Sequence, residues 1–127
     1  MTEFRFRVWE FVRVMVRLES APARRTGKSG PSFYRVHREA WEKLDRRLGR
    51  LAESDAEAFS DLMMNQHVTA AFETPRQMRE VSAALDGVVA EMSREIDKGG
   101  DAEHLASLDN EIKGLGALKR RLNAQRP

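Results

Sequence analysis

Arginine, lysine and glycine, the residue types that hold phosphate, are gathered in the stretch Arg24-Arg25-Thr26-Gly27-Lys28-Ser29-Gly30. Gly-Lys-Ser ends the phosphate-loop pattern, in which backbone N–H groups and a lysine cradle the phosphates of a nucleotide. That pattern needs a glycine five residues before Gly27, and this chain has Pro22 there, with no N–H to offer. A nucleotide-hydrolysing loop is therefore set aside. Arg24, Arg25 and Lys28 remain candidates for gripping a nucleic-acid backbone, and Phe33 and Tyr34 follow closely enough to stack on a base. The plainer account is a solvated linker, with Phe33 and Tyr34 anchoring the start of a helix.

Two more basic groups join this candidate site. Lys43, Arg47 and Arg50 recur at i, i+4 and i+7 on a helical pattern, beside its apolar face. Glu39–Lys43 and Glu42–Arg46 are spaced for ion pairs along that helix, worth about 0.2–0.5 kcal/mol each. Arg47 and Arg50 have no acid four residues before them. Lys119, Arg120, Arg121 and Arg126 crowd the end of the chain without an acid among them. One or two cations would offset a helix dipole there, and the excess suits a partner or a polyanion.

Chemistry of other kinds finds no footing. With no cysteine, thiolate metal sites and cysteine nucleophiles are excluded. His37, His67 and His104 are expected in separate helices, and His37 sits on an apolar face beside Trp41, as a hydrogen-bonded core histidine would. Asp101-x-x-His104 has metal-ligand spacing but stands alone, whereas di-iron bundles need paired Glu-x-x-His motifs and further glutamates. No catalytic residue, metal or cofactor is expected. Met63, Met64, Met78 and Met92 read first as core filling, with an adaptable partner surface as the alternative.

The charges that surround these groups are segregated. The net charge is only +2, yet residues 1–52 hold 13 Lys/Arg against 6 Asp/Glu. Residues 53–112 hold 4 against 14, and residues 113–127 hold 5 against none. Either the basic ends pack on the acidic middle, or one basic face is kept for a polyanion. At 127 residues the chain has the size of one domain, read here as 1–127 with a basic loop at 20–32. The longest uncharged stretch, Leu62 to Phe72, is too short to span a membrane, and no secretory leader is evident, so a cytoplasmic protein is expected.

The elements that must position these residues read as helices. Thr2 to Glu19 carries two patterns at once: Phe4, Phe6 and Val8 alternate as in a strand, while Phe4, Val8, Phe11, Val12, Met15 and Leu18 share a helical face. Its unbroken length favours a helix. A strand over residues 3–18 would need its partner from another chain, because no other stretch resembles one. The second helix runs from Phe33 to about Glu53, capped by Ser32, and carries Phe33, Val36, His37, Trp41, Leu44 and Leu48. Ser54-Asp55-Ala56-Glu57 and Thr74-Pro75-Arg76-Gln77 are capping boxes that open a third and a fourth helix. The third carries Phe59, Leu62, Met63, Gln66 and Ala70; the fourth runs through Met78, Leu85 and Met92 to Ile96 and stops at Gly99-Gly100. Asp101 caps the last helix, in which Gly114 and Gly116 either leave room for a close neighbour, helix one or another subunit, or mark a kink or fraying.

The expectation is an all-α protein, one antiparallel bundle of about five helices. The first functional reading is a non-enzymatic, sequence-independent subunit that binds RNA or single-stranded DNA through its phosphates, within a larger assembly. The alternative is a protein–protein adaptor or oligomer whose basic and acidic regions pair between chains.

Overall fold

A computed structural model describes residues 2–20 and 32–125. The order of elements is β1 (Thr2–Arg7), α1 (Val8–Glu19), α2 (Ser32–Ser54), α3 (Ala56–Asn65), β2 (His67–Phe72), α4 (Pro75–Asp97) and α5 (Ala102–Ala124). Five helices thus form the bundle, with a small antiparallel sheet of β1 and β2 added at one side.

Both patterns in the first segment are real, one after the other. Phe4 and Phe6 turn inward from β1 while Glu3, Arg5 and Arg7 face out. From Val8 the period changes, and Phe11, Val14, Met15 and Leu18 bury a helical face while Val16 is exposed. Glu10 makes the switch. Its carboxylate reaches back to accept the Arg7 backbone N–H at 2.6 Å, satisfying a donor that the helix itself leaves unpaired. Only this acidic half of a capping box forms, because a guanidinium has nothing with which to accept a bond.

The strand that pairs with β1 belongs to the same chain, which corrects the expectation of an intermolecular partner. Residues Thr2 to Arg7 pair with Phe72 to His67 in antiparallel register, from Thr2↔Phe72 to Arg7↔His67. The third helix accordingly ends at Asn65 and does not run on through Ala70. Ala70 and Phe72 point inward with Phe4 and Phe6, and the Val8 N–H donates to the Gln66 carbonyl at 3.0 Å, continuing the pairing past the strand end. Ladder bonds and a buried face outweigh the helical preference of two alanines.

Several helix starts differ by one residue or by partner from expectation. Asp55, not Ser54, caps α3, accepting from the Ala58 N–H at 3.1 Å. Ser54 ends α2, its hydroxyl donating to the Arg50 carbonyl. Ser32 lies inside α2, and the α2 N-terminus is satisfied from across the bundle: Glu80 of α4 accepts from the Ser32 and Phe33 N–H groups at 2.9 and 2.8 Å. Thr74 caps α4 as expected, with Pro75 at the first helical position. Gly99 and Gly100 take φ of +80° and +141°, a turn that side chains with a Cβ resist. They join α4 and α5, each 23 residues or about 35 Å long, into the expected hairpin.

The core lies between the sheet, α1, α2 and this hairpin. Phe6, Phe11, Phe33, Leu115, Leu118 and Leu122 are fully enclosed, and Phe6 packs against the rings of Phe4, Phe11, Phe33 and Phe72 at 4.9–6.5 Å. A smaller cluster of Val8, Leu48 and Leu62 joins α1, α2 and α3. Gly114 does leave room for a neighbour, but it is a side chain: a Cβ there would lie 2.9 Å from the Trp9 ring of α1. Among the described residues, no helix is long and apolar enough to cross a membrane.

A basic cleft as the candidate nucleic-acid interface

A cleft of about 500 Å³ opens beside β1, lined by Glu3, Phe4, Arg5, Arg7, His67, Arg121, Ala124 and Gln125. Three elements build it. Strand alternation sends Arg5 and Arg7 to the outer face of β1. Register sets His67 of β2 opposite Arg7, and the Arg5 guanidinium comes within 3.3 Å of His67 Nδ1. A guanidinium only donates, so in this contact the His67 Nδ1 is the acceptor. The last turns of α5 then bring Arg121 across.

Arg121 is held from several sides. Nη2 donates to the Arg5 carbonyl at 2.5 Å, Nη1 lies 3.3 Å from Glu10 Oε2, and the guanidinium carbon stands 5.4 Å from the centre of the Phe4 ring. A cation over a ring face is attracted by the π density. Glu10 is 1% exposed, so the charge beneath Arg121 is shielded from solvent while the guanidinium remains part of the cleft wall. Three arginines and a histidine thus converge on one concavity against two carboxylates, Glu3 and Glu10.

Most of the described candidate residues from the sequence are not part of this cleft. Arg24, Arg25, Lys28 and Arg126 lie outside the described residues. Lys43, Arg47 and Arg50 are exposed on α2 together with Arg46, and among the described residues none of the four forms an ion pair. The expected pairs Glu39–Lys43 and Glu42–Arg46 do not form; Glu42 instead holds Arg38 at 2.9 Å. Lys119 is paired with Asp86 of α4, and Arg120 is exposed. Of the basic residues singled out that lie among the described residues, the cleft includes Arg121 alone. Phe33 must be withdrawn as a stacking residue, because it is 0% exposed and stacks on Phe72 at 5.3 Å.

His37 is the hydrogen-bonded core histidine expected, half-buried with Nε2 3.0 Å from the Ala71 carbonyl. Arg5, Arg7 and His67 escaped notice as a group. The outward alternation of Arg5 and Arg7 was visible, but what joins them to His67 is a strand pair spanning 60 residues of sequence.

Tyr34 is half-buried against the core, and its phenol is pushed above the ordinary value of 10.0, first by burial and then by the nearby Glu19 carboxylate. A phenol whose pKa is higher folded than unfolded contributes stability that is present below pH 10 and lost as pH rises through the folded pKa. Tyr34 is the one tyrosine of the chain, so phenolate absorbance reports it alone. Its alkaline titration should lie above that of the urea-unfolded chain, and Tyr34→Phe should remove the corresponding loss of stability.

Among the described residues no cluster of three or more His, Asp or Glu is placed to hold a metal ion. No family model, curated protein or solved structure matches the chain.

Proposed function

We propose that this protein is a non-enzymatic subunit that binds RNA or single-stranded DNA by its phosphate backbone, with the basic cleft as its central contact. The observation that carries this reading is the convergence of Arg5, Arg7 and Arg121 with His67 on one cleft of about 500 Å³. Arginine presents a planar fork that matches two phosphate oxygens at once, and three forks around a concavity suit a bent backbone. The row Lys43, Arg46, Arg47 and Arg50 on α2 supports it as a second, looser contact. Arg13, Arg17, Lys113 and Lys119 close on carboxylates of this chain, whereas Arg5 and Arg7 form no ion pair among the described residues and Arg121 meets only the buried Glu10. Contacts of this kind position a strand without reading its sequence. Under this reading the protein works in the cytoplasm, as one part of a multi-subunit complex.

Anisotropy of labelled single-stranded RNA and DNA, followed against salt, tests the reading. Binding should weaken with salt at a log–log slope of about 0.7 per phosphate contacted. Arg5→Ala/Arg7→Ala should lower affinity about tenfold or more at low salt and flatten that slope by roughly one to two contacts. Both side chains are solvent-facing, so the fold should survive. Oligonucleotides that show no salt-sensitive binding, or a double variant that binds like the parent, would overturn it.

A further inference from the structure

A second surface, separate from the cleft, carries no role in the reading above. Between α1, α3 and α5 lies a groove of about 550 Å³, walled on one side by Trp9, Val12, Val16, Met63 and Met64, with the Arg13 side chain among them. Val16 is 50% and Met64 56% exposed, two of the three large apolar side chains exposed among the described residues. The opposite wall is polar, with Ser107, Asn110 and Glu111 of α5. Met78 and Met92 fill the core as expected, Met63 packs on the smaller cluster while also lining this opening, and Met64 lines it as an exposed side chain.

We infer that the groove is a docking site for an amphipathic helix of another protein, with apolar residues along one face and lysine or arginine on its flanks. The walls decide the shape of the occupant. All three are helices whose backbone bonds are internal, so no free sheet edge exists to add an extended peptide, and recognition falls to side-chain anchors. Trp9, Val12 and Val16 stand at i, i+3 and i+7, the spacing that meets a facing helix. Methionine at the rim adapts to such anchors.

Charge decides the flanks. α3 carries Glu57 and Asp61 and no cation, and the first half of α5 carries Glu103, Asp109 and Glu111. Two of these acids are offset by ion pairs, Glu111 by Arg13 at 2.6 Å and Asp109 by Lys113 at 2.9 Å, which leaves Glu57, Asp61 and Glu103 as the carboxylates without an ion pair among the described residues. An acidic surround favours and steers a basic partner. A second copy of this chain fits poorly. Two such grooves face to face would set like charges together, and Val36 is the one large apolar residue exposed elsewhere among the described residues, too little for an anchor row.

The test uses the full chain with ¹³C-methyl methionine and a synthetic helix of leucines at three- and four-residue spacing among lysines. Met63 and Met64 methyl signals should shift on titration while those of Met78 and Met92 hold still. Val16→Ser/Met64→Ser, at exposed sites that leave the core intact, should weaken binding about tenfold. A matched leucine–glutamate helix should bind more weakly by at least as much. Saturating single-stranded RNA should leave the peptide affinity unchanged, so failure here and failure of the cleft are told apart. No methyl shift at millimolar peptide would overturn the inference. So would equal binding by a peptide of scrambled order, or by the double variant. Light scattering supplies the remaining arm: self-association that the double variant abolishes would assign the groove to a second copy instead.

Discussion

Phe6→Ala should destabilise the protein by about 3–5 kcal/mol, the range for truncating a buried phenylalanine. Phe6 is 0% exposed and touches four other rings, so the loss includes edge-to-face contacts as well as transferred area. The site cannot easily collapse, because its neighbours come from β1, α1, α2 and β2, and no single element can move in to fill the gap. Domains of this size are stable by about 5–15 kcal/mol, so the variant should be close to the margin at 37 °C. Guanidinium unfolding followed by circular dichroism measures the shift. Phe6→Leu, which keeps most of the volume, should recover more than half of the loss. A Phe6→Ala cost below about 1 kcal/mol would mean that the sheet is not packed into the core as described.

The second large effect is expected at Glu10, and it runs in opposite directions for stability and for binding. Glu10→Gln keeps the shape and one acceptor but removes the charge that meets the Arg7 N–H and the Arg121 guanidinium. Hydrogen bonds to charged groups are worth about 1.5–3 kcal/mol, and the exposure of Arg121 reduces the ion-pair share, so a loss of about 1–3 kcal/mol is expected. The same change leaves the cleft one negative charge poorer. Affinity for a single-stranded oligonucleotide should therefore rise several-fold at low salt, with the gain disappearing at high salt. Denaturant unfolding and anisotropy on one preparation check both halves. A variant that loses stability without gaining affinity would detach Arg121 from any role in phosphate binding.

The helical faces were legible because their spacing is local. Phe33, Trp41 and Leu48 bury one side of α2, Met78, Leu85 and Met92 one side of α4, and Leu115, Leu118 and Leu122 one side of α5. Thr74-Pro75 and Gly99-Gly100 were legible for the same reason, since caps and turns are decided within a few residues. What escaped depends on partners far along the chain. His67-Val68-Thr69 reads as the tail of a helix until β1 is laid beside it. Phe33 reads both as core and as a base-stacking ring beside a basic loop, and only the Phe72 ring stacked on it decides between them. Arg121 reads as one of a terminal cluster divided between dipole compensation and a polyanion, and its contacts with Glu10, Phe4 and the Arg5 carbonyl are invisible there. The cleft was half visible, in the outward arginines of β1, and its other half came from two segments that no periodicity connects to them.

The bond from Arg121 to the Arg5 carbonyl joins residues 116 apart in sequence. Closing so long a loop is costly in entropy, and the cost grows with the logarithm of its length. During synthesis, at about 5–20 residues per second, β1 leaves the ribosome several seconds before β2 and longer still before Arg121. Through that interval the edge of β1 is unpaired, with Phe4 and Phe6 uncovered beside it. The outward Arg5 and Arg7, alternating with the phenylalanines, put charge along that strand in the meantime, a feature that disfavours its addition to another of its kind.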